Sequence, residues 1–243
     1  MIYKKIIGNR NDVTMKKPII GIIGKVQLQC GQNLWHRIDE VDEIRYLIIK
    51  NGGTAIMLLP TEETLEFNDI KENTILSNEE LNELYRQVDL CDGFILQGGL
   101  YNSNYEIEIA KRIIELDKPL IGICAGFDNI LRALGTDVIE DKTKSHFIYD
   151  KEYRHEITCI KGTKVYKLAN REKYNVNSIH SMMAPKEKVE NYAKISSVSY
   201  DGLVESFEVN NKKFVIGIKW HPELMLEDDF TQNLFKSFIE ECK

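Results

Sequence analysis

Residues 119–126 read Pro119-Leu-Ile-Gly-Ile-Cys-Ala-Gly126, and no other stretch limits the fold so tightly. A short apolar run over 119–123 has strand character. It passes without a break into Cys124, and apolar residues at helical spacing follow over 127–134 until Gly135 stops them. A chain that turns from strand to helix within Gly122-Ile123-Cys124-Ala125-Gly126 needs small residues on both sides of the turn. Such a turn lifts the middle side chain above the end of a sheet, so the fold that accommodates it is one of strands alternating with helices.

The rest of the first half fits that requirement. Residues 18–24 form a continuous apolar run closed by glycine, the pattern of a strand buried on both faces. A helix is predicted over 39–51, stopped by Gly52-Gly53, then a strand over 54–59 closed by Pro60. Residues 62–77 read as a loop and 78–88 as an amphipathic helix. A strand over 91–96 runs into Gln97-Gly98-Gly99, and a helix follows over 105–116. This alternation predicts a parallel sheet covered by helices on both faces. The second half is richer in strands, at 157–160, 164–166, 195–200, 204–209 and 214–218, some extending the sheet in antiparallel fashion. A last helix is predicted over 229–240. The 243 residues, 43% of them hydrophobic, suffice for one large domain over 18–243 behind an irregular leader at 1–17.

The formal net charge is −6, with both signs mixed along the chain. No basic face for nucleic acid is expected, and no apolar run is long enough to span a bilayer. The N-terminus lacks the pattern of a signal peptide, so a cytoplasmic location is expected. Five cysteines are scattered with no CxxC pair, which argues against a disulfide framework or a zinc site. The five histidines are dispersed, no His-x-x-x-His occurs, and neither a metal nor a cofactor is expected. Neither phosphate-cradling nor dinucleotide-binding glycine patterns are present.

Cys124 is the candidate nucleophile. The helix N-terminus behind it supplies positive potential that favours a thiolate, and the Ala125 N–H would face a developing oxyanion. A buried cysteine at the end of a core strand is the plainer alternative, and the two flanking glycines weigh against it. A nucleophilic cysteine requires a base, and the base requires an orienting group. His221 follows the strand over 214–218, and Glu223 stands two residues beyond it across Pro222. That spacing lets a carboxylate hold one ring nitrogen while the other faces a thiol, although the segment alone also reads as an ordinary surface His and Glu. Gly98-Gly99 after a strand would let backbone N–H groups approach a substrate, or would make a plain turn. His180, in Asn177-Ser-Ile-His-Ser-Met182, is a rival base, a substrate contact or an ordinary loop residue. His36, His146 and His155 read as surface residues, and Cys30, Cys91, Cys159 and Cys242 carry no role.

These segments in this order resemble the class I glutamine amidotransferase superfamily, in its γ-glutamyl hydrolase-like branch (peptidase C26, which includes γ-glutamyl-γ-aminobutyrate hydrolases). The resemblance runs from about Pro18 to the C-terminal helix. It rests on residues 92–99, 118–126, 176–180 and 217–223, with support from Asp201-Gly-Leu-Val-Glu205. It implies a flavodoxin-like α/β three-layer sandwich with a mostly parallel central sheet. It further implies a triad of Cys124, His221 and Glu223, an oxyanion hole from the N–H groups of Gly99 and Ala125, and α-carboxylate recognition through the main chain at Ser181 and Met182. Many relatives carry Gly-x-Gln after the cysteine where this chain has Gly126-Phe-Asp128. Asp128 would pair with the α-ammonium of a γ-glutamyl group, or it caps the first turn of its helix. Leu100-Tyr-Asn-Ser-Asn104 replaces an Asp-rich stretch ending in proline, which changes the pocket wall. The expected activity is hydrolysis of γ-glutamyl amides of small molecules through a thioester on Cys124. The competing readings are a glutaminase subunit serving a separate synthase and a non-catalytic regulatory protein. The expected ligand is a small γ-glutamyl compound or glutamine, and a homodimer is compatible with the sequence.

Overall fold

The computed structural model describes residues 16–27, 37–63, 65, 75–99 and 103–243. Strand β1 (Ile19–Ile23) is followed by an antiparallel pair, β2 (Lys25–Gln27) and β3 (Arg37–Asp39), and by helix α1 (Asp42–Lys50). Then come β4 (Thr54–Leu58), α2 (Asn78–Asp89), β5 (Gly93–Leu96), α3 (Asn104–Glu115), β6 (Leu120–Ile123) and α4 (Ala125–Ala133). The second half contains β7 (Ile139–Glu140), β8 (His155–Cys159), α5 (Lys164–Ala169), β9 (Lys173–Val176), β10 (Met182–Met183) and α6 (Lys186–Glu190). It ends with β11 (Ala193–Ser199), β12 (Val204–Val209), β13 (Val215–Ile218), a single 3-10 turn at Pro222–Leu224, and α7 (Asp229–Glu241).

A nine-stranded sheet unites both halves in the order β4-β1-β5-β6-β13-β12-β11-β8-β9. Its first five strands are parallel, and the remaining four extend it antiparallel. The apolar runs read from the sequence become strands buried on both faces because helices cover both sides. On one side Leu84, Ile109, Ile113, Phe127 and Ile130 pack against Phe94, Leu96 and Leu120. On the other, Ile44, Leu47, Phe235 and Phe238 pack against Ile20, Ile22, Ile95 and Ile121. Successive strand residues thus serve opposite cores, which is the period-two geometry of a strand between two helical layers.

The strand order sets three carboxyl-terminal ends side by side. β6 lies between β5 and β13, with Leu96 opposite Gly122 and Ile123 opposite Ile218. The chain therefore leaves the sheet at Gln97, Cys124 and Lys219 along one edge, the edge where open α/β sheets place ligands. The Gln97 side chain ties this edge together. Its amide nitrogen donates to the carbonyls of Ile23 and Asp39, and its oxygen accepts from the N–H of Val41.

Two elements differ from the sequence expectation. Residues 164–166, a strand by their apolar pattern, instead open helix α5, because the Thr163 side chain accepts from the Tyr166 N–H and caps a helix there. Three apolar-rich residues do not distinguish strand from helix; the cap decides. The helix expected from residue 39 starts at Asp42, since residues 37–39 pair with β2. Of the leader, residues 1–15 lie outside the described residues, as do Cys30, His36 and Leu100–Asn102; Lys16 and Lys17 carry no regular structure.

The start of α4 tolerates no added bulk. A Cβ on Gly126 would lie 2.1 Å from the Leu96 carbonyl oxygen, which is fixed in β5. We therefore expect Gly126→Ala to destabilise the fold by about 3 kcal/mol, at the upper end of overpacking costs. Urea unfolding reads this directly, and an unchanged midpoint would refute the close approach of α4 to β5.

Candidate active site

Cys124 has φ 50° and ψ −102°, a left-handed backbone that side-chain-bearing residues rarely adopt. Its N–H donates to the Ile218 carbonyl at 2.8 Å, so the strained turn is anchored on β13. The flanking glycines follow from contact. A Cβ on Gly122 would lie 2.5 Å from the Gly126 carbonyl oxygen. The strain is thus held by packing on both sides, and α4 begins at the very next residue.

His221 is brought to Cys124 by β13. A Cβ on Gly98 would meet the His221 ring at 2.7 Å and the Cys124 Cβ at 3.4 Å, so cysteine, histidine and the β5 loop converge. It is Gly98 that faces the cysteine and histidine; Gly99 faces the aliphatic part of Lys25. His221 Nδ1 lies 2.7 Å from Glu223 Oε1. The 3-10 turn after His221, with Pro222 at its start, folds the carboxylate back onto the ring. Asn177 fixes the backbone beneath: its side chain donates to the His221 carbonyl at 2.7 Å and accepts the His221 N–H at 2.8 Å. In the sequence Asn177 stands out only as part of its motif, and this double bond to a residue 44 positions away has no local signature.

Burial opposes charge on the His221 ring, but Glu223 and the thiolate form of Cys124 outweigh it and hold its pKa well above the ordinary histidine value. The other described cysteines differ. Burial pushes Cys91 and Cys159 up to about 11 and Cys242 up to about 12, so these thiols stay protonated and serve as core.

The segment 177–182 also reaches the site. Cys124 Sγ lies 3.7 Å from the Ile179 carbonyl oxygen. Ser181 is exposed and Met182 half-buried, beside β7. His180 does not face the cysteine as a base or contact: its ring is buried, with Nδ1 3.2 Å from the Met182 carbonyl and Nε2 3.6 Å from Glu205.

Two expectations require correction. Asp128 is 3% exposed, and its carboxylate is bonded to the Lys219 ammonium, which itself is fully buried and 4.7 Å from the centroid of the Phe127 ring. The charge meant for a substrate ammonium is already neutralised within the protein. His146 and His155, expected on the surface, are both buried and lie together with their ring centroids 5.1 Å apart. Nothing in their own sequence neighbourhoods signals this, because the antiparallel half of the sheet creates the contact.

An α/β sheet of this order, with a cysteine elbow flanked by the β5 glycine loop and a strand-end histidine, defines the class I glutamine amidotransferase type of fold. The sequence model of the family described as Peptidase C26 matches residues 101–223, a little over half of the chain, and the chain belongs to that family. It is accordingly a hydrolase acting on amide bonds. The chain is 27% identical to the gamma-glutamyl-gamma-aminobutyrate hydrolase PuuD of Escherichia coli (strain K12), over 94% of this chain and 95% of that one. It is 23% identical to the glutamine amidotransferase-like protein RP404 of Rickettsia prowazekii, over 94% and 99%. Among solved structures, a GMP synthase subunit from Thermoplasma acidophilum superposes with a TM-score of 0.64 at 16% identity, covering 93% of this chain and 94% of that one. That likeness concerns the fold. Among the described residues no helix is long and apolar enough to cross a membrane.

Two measurements test this geometry. Replacing Asp128 by Asn leaves the Lys219 charge buried without its counter-ion, and the expected cost is about 3–5 kcal/mol of stability. A substrate-reading Asp128 would instead leave the unfolding midpoint in place and raise KM. For His221, NMR titration of the ring in the resting protein should give a midpoint well above about 6.5. A raised folded value means that its contribution to stability is fully present below about pH 6.5 and fades as pH rises through the folded pKa. Glu223→Gln should lower the midpoint; a wild-type midpoint at or below the ordinary value would contradict the pairing of His221 with Glu223.

Proposed function

We propose that the chain hydrolyses γ-glutamyl amide bonds of small molecules, with Cys124 as nucleophile, His221 as proton carrier and Glu223 orienting His221. The observation that carries this reading is the convergence of the strained Cys124 turn with a His221 ring held 2.7 Å from a buried Glu223. A nucleophile, a base within reach and a group that fixes the base are the three parts covalent amide hydrolysis requires.

The steps follow from these positions. The Cys124 thiolate attacks the γ-carbonyl carbon, and the carbonyl oxygen takes up the electron pair as an oxyanion. Backbone N–H groups of Ala125, at the start of α4, and of Gly99 are assigned to that oxyanion, as preorganised dipoles that need not reorient during reaction. The His221 imidazolium gives its proton to the amine nitrogen as the C–N bond breaks, leaving a γ-glutamyl thioester on Cys124. Neutral His221 then accepts a proton from water as the water oxygen attacks the thioester. Collapse of the second tetrahedral intermediate releases the γ-carboxylate of glutamate and returns the thiolate and imidazolium. Glu223 stabilises the imidazolium throughout.

The main chain at Ser181 and Met182 is assigned to the substrate's α-carboxylate, since this segment begins 3.7 Å from the sulfur at Ile179. With Asp128 committed to Lys219, the choice of a γ-glutamyl amine over free glutamine rests on the likeness to PuuD across nearly the full length of both chains. The fold likeness to a synthase subunit keeps the ammonia-donating reading as the alternative.

Mass-spectrometric assay of the purified chain against γ-glutamyl amines and glutamine decides between them. We expect amine release from γ-glutamyl amines by the isolated chain, γ-glutamyl hydroxamate when hydroxylamine replaces water, and a loss of at least about 10³-fold in Cys124→Ala. Wild-type rates in that variant would sink the covalent mechanism. Ammonia release from glutamine only on addition of a second protein would favour the subunit reading.

A further inference from the structure

Glu205 in β12 is a buried carboxylate with 0% exposure, and neither of its oxygens has a hydrogen-bond partner. Three buried histidines surround it. From Glu205 Oε1, His146 Nδ1 lies at 3.5 Å, His180 Nε2 at 3.6 Å and His155 Nε2 at 3.7 Å. Both ring nitrogens of His155 and Nε2 of His180 are likewise buried without hydrogen-bond partners. A desolvated carboxylate facing imidazole nitrogens, those of His155 and His180 without hydrogen-bond partners, is costly as it stands. It is the donor set that a metal ion would satisfy.

We propose that His146, His155, His180 and Glu205 bind a divalent transition ion of the Zn2+ type. The donor chemistry, imidazole nitrogens with one carboxylate oxygen, suits zinc and its neighbours and disfavours Ca2+ and Mg2+. The spacing agrees. Zn–N bonds of about 2.0–2.1 Å in a tetrahedron put neighbouring donor atoms about 3.3–3.4 Å apart. The donors of His146, His155 and Glu205 form the compact core, all within 4.8 Å of one another; His180 stands outside that group, with Nε2 3.6 Å from the same carboxylate oxygen, and would close in as the fourth ligand.

The surroundings match as well. Metal-bound histidines characteristically hold their second nitrogen against a carboxylate or a backbone carbonyl, which fixes the ring. His146 Nε2 lies 3.0 Å from Asp201 Oδ2, and His180 Nδ1 lies 3.2 Å from the Met182 carbonyl. The hydroxyl oxygen of Ser178 is 3.0 Å from His146 Nδ1, while the Ser178 proton goes to the His146 carbonyl. The ion would approach His146 through Nδ1, on the side that now faces Ser178. All four protein donors are buried, so the site is closed and structural, without a position for substrate.

Its consequence falls on the neighbouring site. The ion joins β8, β12 and the segment 177–182, and that segment passes within 3.7 Å of Cys124 Sγ. Binding would stiffen the wall beside the cysteine without touching the reacting atoms.

The test uses the full chain carrying Cys124→Ala, which removes the thiol as a competing ligand and makes the outcome independent of catalysis. After dialysis against chelator, the chain is titrated with Zn2+ alone and, separately, with Co2+ as a visible-light probe. We expect one equivalent of Zn2+ retained, d–d bands of tetrahedral Co2+, and a higher unfolding temperature with metal. Adding His155→Ala or Glu205→Gln should weaken binding by at least about 100-fold, and Asp201→Asn by about tenfold. A folded Cys124→Ala chain that retains no ion and gives no Co2+ bands overturns the site. Equal binding by the His155→Ala and Glu205→Gln variants overturns it too. If either variant fails to fold, the titration of the Cys124→Ala chain and the Asp201→Asn variant decide.

Discussion

The turn at Cys124 governs how the central strands and the helix behind them fit together. Its left-handed backbone is unfavourable on its own, and it persists because β6 is gripped by a strand on each side and by α4 above. The Cys124 N–H closes onto Ile218, so the same hydrogen bond that anchors the turn also sets the level at which β13 leaves the sheet. Parallel pairing and the glycines at the turn therefore fix where a sulfur atom stands relative to a histidine far along the chain. Strain held by surrounding packing is a common property of reactive centres, because a side chain lifted clear of the sheet is both exposed and preorganised.

Buried charge organises the layer beneath. Lys219, one residue beyond β13, is fully buried and meets Asp128 in the first turn of α4. On the same face of the sheet, beyond β1, buried Lys25 meets Glu106 in α3 at 2.6 Å, beside a Tyr105 hydroxyl that donates to the Gly24 carbonyl. Each pair joins the end of a strand to the start of a helix at the edge that carries the site. Hydrophobic packing alone would hold the layers but would leave these ends free to shift, whereas a buried ion pair is directional and costly to separate. This assigns Asp128 a positional role and accounts for an acidic residue within the α4 first turn without a ligand.

Local sequence made the strands of the parallel half legible, because continuous apolar runs bounded by glycine and proline have few other solutions. The strained turn at Cys124 was legible for the same reason: only small flanking residues permit it, and glycines are visible. His221 and Glu223 were legible as a pair because they stand two positions apart and proline limits the path between. The expected strand at 164–166 failed because three residues carry no period, and a threonine cap outside the window chose helix. His146 and His155 were misplaced on the surface for a different reason. Their partners Asp201 and Glu205 lie far along the chain and meet them only through the antiparallel strands.

An alternating α/β architecture, the strained cysteine turn and a histidine–glutamate pair at a strand end were already written into the local order of residues. Each is set by neighbours within a few residues, through backbone sterics and hydrophobic period. Folding in three dimensions was needed to place β6 between β5 and β13, to pair Asp128 with Lys219, to set Asn177 against His221 and to bring three histidines around Glu205. Those outcomes depend on strand order and on which buried charges meet, and such long-range pairings leave no periodic trace along the chain.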